Sequence, residues 1–365
     1  MNFVCGLSPN SDRKVSKVQL DCVAIVWTEL QQVMLTAIVL QEGWQLSIVF
    51  VRDGIRLLDV VKKPGTRIVR VPNLSYSVHQ IKDYRRVVLG TIRSSLAEVG
   101  EYRFLTWTLE SPLAKGIASR PECKSISFFE DGAGSYLYMG RFGWRNGLKY
   151  LVTKLLINLA LWHGRNLIST PAEKSAEFWS LFPNPVSGKA IRRRVLSHES
   201  FRSAMLAASL TEHSVHALSK GSVLYLPSPF ADCNLMTDAE EIEIHVDALR
   251  RFFDYERKPV EALLWKSHPR AIPYREHARI DAIRKQLSVE IEVVPTDLNI
   301  EQILLSNQDI ELSIVSVFSS AIYTLEALGI NRHKVVCIDS RLLRAHRPEL
   351  KNLYHFFHQI GVQVI

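Results

Sequence analysis

The stretch Ser125-Ile126-Ser127-Phe128-Phe129-Glu130-Asp131-Gly132-Ala133-Gly134-Ser135 joins an apolar, aromatic run to two acids and two glycines. Its alternating first half predicts a buried strand. Unpaired buried charges are costly, so we expect the acids at the carboxyl end of that strand, where open α/β sheets bind ligands. Gly132 and Gly134 allow a tight turn and close approach to a substrate. The alternative interpretation is an ordinary acidic turn.

The chain on both sides of this stretch alternates between strand and helix patterns. Before it, strands are predicted at 22–27, 46–51, 67–71 and 104–107, with helices at 29–40, 81–99 and 112–119. After it, a second series has strands at 223–226, 262–265, 289–294, 312–318 and 334–338. Helices are predicted between them at 238–255, 280–287, 300–305 and 321–328, the first with Thr237 or Asp238 as its N-cap. Such alternation predicts doubly wound parallel sheets of the α/β class.

The length of the chain predicts more than one domain. At 365 residues it exceeds what one hydrophobic core usually supports. We expect an N-terminal Rossmann-like domain at 1–168, a helical basic connector at 169–220 and a C-terminal Rossmann-like domain at 221–365. Two such domains facing across a cleft would suit a nucleotide-linked substrate.

Composition and charge narrow the class of partner. The formal net charge of +8 indicates an anionic partner: a nucleotide, lipid headgroups, an acidic saccharide or nucleic acid. The 5 cysteines are dispersed without a CxxC pair, which predicts reduced thiols, a cytosolic location and no zinc site. The first residues lack the apolar core of a signal peptide, and no apolar run is long enough to span a bilayer.

Two segments in the middle of the chain carry basic residues. The stretch 143–167 is apolar with basic and aromatic flanks, which fits a helix lying at a membrane surface or a core helix with snorkelling lysines. Arg192-Arg193-Arg194 fits a solvated face, or a surface that holds an anionic acceptor or lipid.

Three further motifs follow predicted strands in the second half of the chain. Lys266-Ser267-His268-Pro269-Arg270 is either a surface turn or a cationic strand end, where His268 would meet a phosphate and donate a proton. Ser319-Ser320 is either a helix cap or a phosphate site built from hydroxyls and a helix N-terminus. Glu301 is either a helix-start acid or an acceptor for a ribose diol.

Several familiar motifs are missing from the sequence. It has no P-loop, no GxGxxG after a strand and no GxSxG, which disfavours ATP hydrolysis, nicotinamide chemistry and serine hydrolysis. It has no Asp-x-Asp pair either, which disfavours a nucleotide diphosphate held by a metal ion.

The order of the motifs resembles that of the bacterial sialyltransferases and polysialyltransferases of the GT-B type. Those families carry an (Asp/Glu)-(Asp/Glu)-Gly motif, then His-Pro, then Ser-(Ser/Thr). Here the three stand as Glu130-Asp131-Gly132, His268-Pro269 and Ser319-Ser320. The resemblance covers the layout of most of the chain, and these few residues are its specific part.

The resemblance implies a glycosyltransferase that moves sialic acid from a CMP-sugar to a hydroxyl of a cell-surface glycan or glycolipid. Asp131 would be the general base and Glu130 would orient it or the acceptor. Paired acids push their pKa values apart, and the sequence does not show which of the two is the base, so the two roles could be exchanged. His268 would bind the CMP phosphate as an electrostatic or acid partner, with Lys266 and Pro269 beside it.

The remaining site residues also take their roles from the resemblance. Ser319 and Ser320 would hold the phosphate, and Glu301 would bind the ribose hydroxyls. Gly132, Gly134 and Ser135 would form the acceptor-side loop. Such families are inverting and metal-independent, so no metal ligand and no cofactor are expected.

The sequence leaves the substrates and the site of action open. Legionaminic acid, pseudaminic acid and Kdo are alternative CMP-linked donors that need similar phosphate contacts. Lipopolysaccharide, a capsular polymer or a glycolipid would be the acceptor. The basic segments favour a cytoplasmic protein in peripheral contact with anionic lipids at the inner face of the membrane.

A different class of function is a basic, non-catalytic protein that binds nucleotides or nucleic acid, with Glu130 and Asp131 merely capping a loop. That class predicts interleaved aromatic and basic residues on one surface and binding that weakens steeply with salt. No such stripe occurs in the sequence, so a nucleic-acid partner is not expected.

Overall fold

The computed structural model describes residues 20–72, 81–109, 111–130, 175–183, 192–209, 222–257, 260, 263–294, 299–330, 333–348 and 350–365. Within these ranges the strands form two parallel sheets, one in each half of the chain. The predicted α/β class with two Rossmann-like halves is therefore confirmed.

The first sheet has seven strands in the order β3-β2-β1-β4-β5-β6-β7, and every neighbouring pair is parallel. The central strand β1 is buried from Cys22 to Val26, as expected where helices cover both faces of a parallel sheet. The strands are β1 Asp21–Val26, β2 Leu46–Arg52, β3 Arg67–Val71, β4 Tyr102–Thr106, β5 Cys123–Phe129, β6 Ser175–Ser180 and β7 Arg192–Val195.

The second sheet has six parallel strands in the order β10-β9-β8-β11-β12-β13. They are β8 Val223–Tyr225, β9 Leu263–Lys266, β10 Ile291–Val294, β11 Ser313–Ser316, β12 Lys334–Cys337 and β13 Gln363–Val364. Counted from β8, this is the Rossmann order 3-2-1-4-5-6, and the first six strands of the first sheet follow the same order. The order reverses between β1 and β4 and between β8 and β11, and such reversal points are where these sheets bind ligands.

The helices follow the predicted pattern, with one clear difference in length. The predicted cap Thr237 forms a capping box with Glu240 at the start of α5. Helix α6 begins at Pro273, well before the predicted start at 280, because proline suits the first turn of a helix. The helices are α1 Glu29–Glu42, α2 Ile81–Ser95, α3 Pro112–Ala118, α4 His198–Ser209, α5 Asp238–Glu256, α6 Pro273–Leu287, α7 Ile300–Ser306, α8 Ser320–Leu328, α9 Arg341–His346 and α10 Leu350–Gln359.

The predicted helical connector at 169–220 is wrong for much of its described part. Strands β6 and β7 extend the first sheet, and only α4 is helical. Arg194 lies over the ring of Trp179 at 4.5 Å and forms an ion pair of 2.5 Å with Glu42. The arginine run is thus an edge strand and not a helix: Arg192 and Arg193 are exposed, as expected of a solvated face, and Arg194 is anchored to Glu42. The domain boundary at 168 and the surface helix at 143–167 lie outside the described residues.

Helix α4 lies between the two halves of the chain. It packs on α1 of the first half and on α7 and α8 of the second. The Arg202 guanidinium donates a hydrogen bond of 2.5 Å to the side chain of Gln308, just beyond α7. The two halves of the chain are therefore joined through α4.

Two other expectations concern the cysteines and the membrane. Cys22, Cys123, Cys233 and Cys337 are free thiols, as predicted. Among the described helices, none combines the length and the apolar character required to cross a bilayer.

Candidate active site

The predicted site residues follow strands that end at the carboxyl edges of the two sheets. Glu130 comes directly after β5, His268 follows β9 and Ser319 follows β11. Asp131 and the predicted loop residues Gly132, Gly134 and Ser135 lie outside the described residues.

Glu130 is buried, with an exposed fraction of 1%. Its backbone N–H donates to the Trp179 carbonyl oxygen at 3.1 Å. Its Oε1 accepts hydrogen bonds from the Leu181 N–H at 2.5 Å and from the Tyr323 hydroxyl. Glu130 lies at the strand end, as expected, but its side chain is buried rather than exposed to solvent. Paired hydrogen bonds make its burial tolerable.

Helix α8 begins at the Ser-Ser motif. Ser319 is its N-cap, and its Oγ accepts a hydrogen bond from the Ala321 N–H at 3.2 Å. Ser320 is exposed at the first position of the helix. The capping interpretation is therefore correct for Ser319.

Glu301 lies in a pocket between the two halves and is held by Thr324 of α8. The Thr324 hydroxyl donates to Glu301 Oε1 at 2.6 Å. Burial raises the pKa of Glu301, although the Thr324 hydrogen bond and the charge of Lys266 act in the opposite direction. The pocket is lined by Glu29, Leu30, Val33, Leu58, Met205, Ala208, Asn299, Glu301 and Gln302.

His268 is half-buried in the loop after β9. Burial, followed by the charges of Arg270 and Lys266, lowers its pKa. Its Nδ1 accepts a hydrogen bond from the Arg270 N–H at 3.1 Å. A neutral imidazole whose Nδ1 accepts carries its proton on Nε2, so that N–H is the donor left for a ligand. Lys266 is itself buried, and Pro269 is exposed.

A buried ion-pair network supports the His-Pro loop. Arg279, which is 3% exposed, contacts Asp232 at 2.7 Å and Asp238 at 2.7 Å. Asp232 also accepts a hydrogen bond from the Ile272 N–H at 2.9 Å, four residues after His268. The network therefore ties the loop after β8 to the loop after β9. We did not predict it, because no local motif marks residues that pair across 47 positions.

Two tryptophans lie at the reversal point of the first sheet. Trp27 follows β1 and Trp107 follows β4, and their half-buried rings meet edge to face at 5.6 Å. The strand register pairs Thr106 with Phe128, so Trp107 stands level with the end of β5. These residues were not predicted as site residues, although a tryptophan as the last residue of each of two predicted strands was a signal in the sequence.

The predicted site contains no residue assigned to a metal ion. In the part of the chain that the structure describes, no group of three or more His, Cys, Asp and Glu side chains is arranged to hold a metal ion.

Comparison with known proteins identifies the family and the fold. The sequence model of the family described as alpha-2,8-polysialyltransferase (POLYST) matches residues 66–337, most of the chain. No curated protein matches the sequence.

Two solved structures share the fold. The sialyltransferase from Photobacterium damsela has a TM-score of 0.50 at 11% identity, covering 95% of this chain and 81% of its own. The GT-B domain of the Photobacterium damselae sialyltransferase also has a TM-score of 0.50 at 11% identity, covering 94% and 100%. The chain belongs to the alpha-2,8-polysialyltransferase family and is a glycosyltransferase with a nucleotide-sugar donor and a glycan acceptor.

Proposed function

We propose that the protein is an inverting, metal-independent sialyltransferase that extends an α-2,8-linked sialic acid chain with sialic acid from a CMP-sugar. The observation that carries the proposal is the position of helix α8. It begins at Ser319-Ser320, contacts Glu130 through Tyr323 and contacts Glu301 through Thr324. One short helix thereby connects three of the residues or motifs that the resemblance assigns to the reaction.

The donor binds at the carboxyl edge of the second sheet. The CMP phosphate lies at the N-terminus of α8, where backbone N–H groups and the Ser320 hydroxyl donate to it. His268 supplies its Nε2–H to the same phosphate. Glu301 accepts hydrogen bonds from the ribose hydroxyls. The leaving group is a phosphate monoester, whose charge these donors stabilise without a metal ion.

The acceptor binds at the edge of the first sheet. Asp131 removes the proton from the acceptor hydroxyl, whose oxygen attacks the anomeric carbon on the face opposite the phosphate. The new carbon–oxygen bond forms as the bond to CMP breaks, which inverts the configuration. Glu130 orients the acidic turn, and the rings of Trp27 and Trp107 offer apolar surface to an acceptor sugar.

The proposal extends to the choice of donor and to the site of action. Legionaminic acid, pseudaminic acid and Kdo remain alternative CMP-linked donors, because their phosphate contacts would be the same. The net charge of +8 supports an anionic acceptor and peripheral contact with anionic lipids at the inner membrane face, as in capsule or lipopolysaccharide synthesis. Membership of an enzyme family argues against the non-catalytic binding protein.

The test is CMP release from a panel of CMP-sugars with an α-2,8-linked oligosialic acid acceptor, measured with and without EDTA in the buffer. We expect release that requires acceptor, is fastest with CMP-sialic acid and is unchanged by EDTA. NMR of the first product should show the inverted anomeric configuration. Absence of release with every CMP-sugar would refute the proposal, and loss of release with EDTA would refute its metal-independent part.

A further inference from the structure

The contact between Glu130 and Tyr323 joins the two halves of the chain at their carboxyl edges. Glu130 ends the β5 strand of the first sheet, and Tyr323 lies in the first turn and a half of α8, beside the second sheet. The two residues are 193 positions apart, and the contact is buried on both sides.

Glu130 is also bonded to its own sheet. Glu130 bonds to the end of β6 through its backbone, at Trp179, and to the residue just beyond β6 through its side chain, at Leu181. The next residue, Phe182, packs its ring against Tyr323 at 5.7 Å. Tyr323 therefore contacts Phe182 with its ring and Glu130 with its hydroxyl.

Tyr323 is also close to the Ser-Ser motif. In a helix, residues three apart lie on the same side, so Tyr323 stands one turn below Ser320. Asp131 follows Glu130 directly in the chain. The hydrogen bond between Tyr323 and Glu130 therefore links the start of α8 to the end of β5, from which the chain continues to Asp131.

We propose that Tyr323 is a positioning residue, which acts through Glu130 to hold the end of β5, from which the chain continues to Asp131, in register with the start of α8. The inference rests on the proposed function, in which Asp131 is the base and α8 binds the CMP phosphate. Bond formation requires the acceptor oxygen and the donor carbon at a near-attack distance, and a misplacement of about 1 Å costs roughly 100-fold in rate. The hydroxyl of Tyr323 sets that distance without touching either substrate.

The test uses Tyr323→Phe, which removes the hydroxyl and keeps the ring on Phe182. We expect kcat to fall about 10- to 100-fold. The Kd for CMP should stay unchanged, because the start of α8 is intact. The matched control is Tyr102→Phe, which removes a buried hydroxyl that donates to the Ile117 carbonyl at 2.7 Å within the first half. We expect wild-type kcat for this control.

Substitution of Glu130 separates positioning from direct chemistry. The amide oxygen of Glu130→Gln still accepts from Leu181 and Tyr323, so this variant should retain most of the activity that Glu130→Ala loses. Added to Glu130→Ala, the Tyr323→Phe change should cause no further loss. If Glu130→Gln is as inactive as Glu130→Ala, Glu130 acts directly on the substrate and the positioning role is overturned. Wild-type kcat in Tyr323→Phe would overturn it as well.

Hydrogen–deuterium exchange supplies a readout that does not depend on turnover. We expect faster exchange at residues 129–130 and 181–182 in Tyr323→Phe, with unchanged exchange in β1 and in the Tyr102→Phe control. If wild-type enzyme releases no CMP while this exchange pattern appears, the proposed function fails and the structural link stands. If the exchange does not change, the link itself is overturned.

Discussion

The hydroxyl group of Thr324 donates a hydrogen bond of 2.6 Å to Oε1 of Glu301, and both side chains are buried. One helix turn of α8 thus contacts Glu130 through Tyr323 and Glu301 through the next residue. Successive helical residues point about 100° apart, so neighbouring positions can contact two different elements. Helix α8 is the structural centre of the proposed site.

Replacing Thr324 with valine should weaken use of the donor. The change removes the hydroxyl and keeps the shape, so Glu301 loses the hydrogen bond that favours its charged form. We expect kcat/KM for the CMP-sugar to fall about 10-fold, as for the loss of one hydrogen bond to a charged group. The pKa of Glu301 should rise further, which moves the acid limb of kcat/KM to higher pH. Thr324→Ser, which retains the hydroxyl, should restore the wild-type profile; an unshifted acid limb in Thr324→Val would contradict the role of Glu301.

Replacing Glu301 with glutamine should stabilise the fold while lowering activity. Burial raises the pKa of Glu301, so the folded protein binds a proton more tightly than the unfolded chain. Ionisation therefore costs stability as the pH rises through the folded pKa. We expect Glu301→Gln to raise Tm at pH 8 by on the order of 2 °C. The gain should disappear below the unfolded pKa, where wild-type Glu301 is protonated in both states. A lower Tm at pH 8 would show that the charge stabilises the fold.

The Asp232–Arg279 network predicts a large loss of stability on mutation. Arg279→Met leaves Asp232 buried without its main partner, which should cost about 3 to 5 kcal/mol in the free energy of unfolding. The control is Lys62→Met, which removes an exposed ion pair to Asp59 and should cost at most about 1 kcal/mol. Urea titration measures both. Equal effects would mean that the buried network contributes no more than a surface pair.

The same network predicts sensitivity to acid. Burial alone would raise the pKa of Asp232, but hydrogen bonds from Arg279 and Ile272 outweigh it, so the pKa lies below its ordinary value. A depressed folded pKa contributes stability that is present above the unfolded pKa and is lost as pH falls through the folded pKa. The slope of unfolding free energy against pH, in that acid range, should be shallower in Asp232→Asn than in wild type. An identical slope would contradict this prediction.

The tryptophan pair predicts an effect confined to the acceptor. Trp27→Leu removes ring surface at the reversal point of the first sheet, so KM for the oligosialic acid acceptor should rise several-fold while the Kd for CMP stays constant. Phe253→Leu is the control, because Phe253 is a half-buried ring of α5 in the second half and packs edge to face on Phe252 at 6.1 Å. An unchanged acceptor KM in Trp27→Leu would remove this residue from the site.

Local patterns explain why so much of the fold was predictable. Buried parallel strands are continuous apolar runs, and those at the centre of each sheet were visible between helical patterns, as Cys22–Val26 illustrates. Residues directly after such strands must lie at one edge of a sheet, which gave the positions of Glu130, His268 and Ser319. The strands β6 and β7 were mistaken for helix, because Arg194 pairs with Glu42, 152 positions away, and no local pattern records that pairing.

The partners of the site residues were not predictable for the same reason. Glu130 is satisfied by Tyr323, and Asp232 by Arg279, through contacts that exist only once the sheets are assembled. A carboxylate at a strand end is predicted to be exposed when the groups that donate hydrogen bonds to it are unknown. Burial of Glu130 is thus a property of the tertiary structure rather than of its own segment.

The rate of CMP release in three variants tests the central claim most directly. With CMP-sialic acid and the oligosialic acceptor, Asp131→Asn should lose roughly 100- to 10,000-fold in kcat, as expected for loss of a general base, and should still bind CMP. His268→Ala should lose both turnover and CMP affinity, whereas His277→Ala, at an exposed histidine of α6, should match wild type. Wild-type turnover in both Asp131→Asn and His268→Ala would contradict the account.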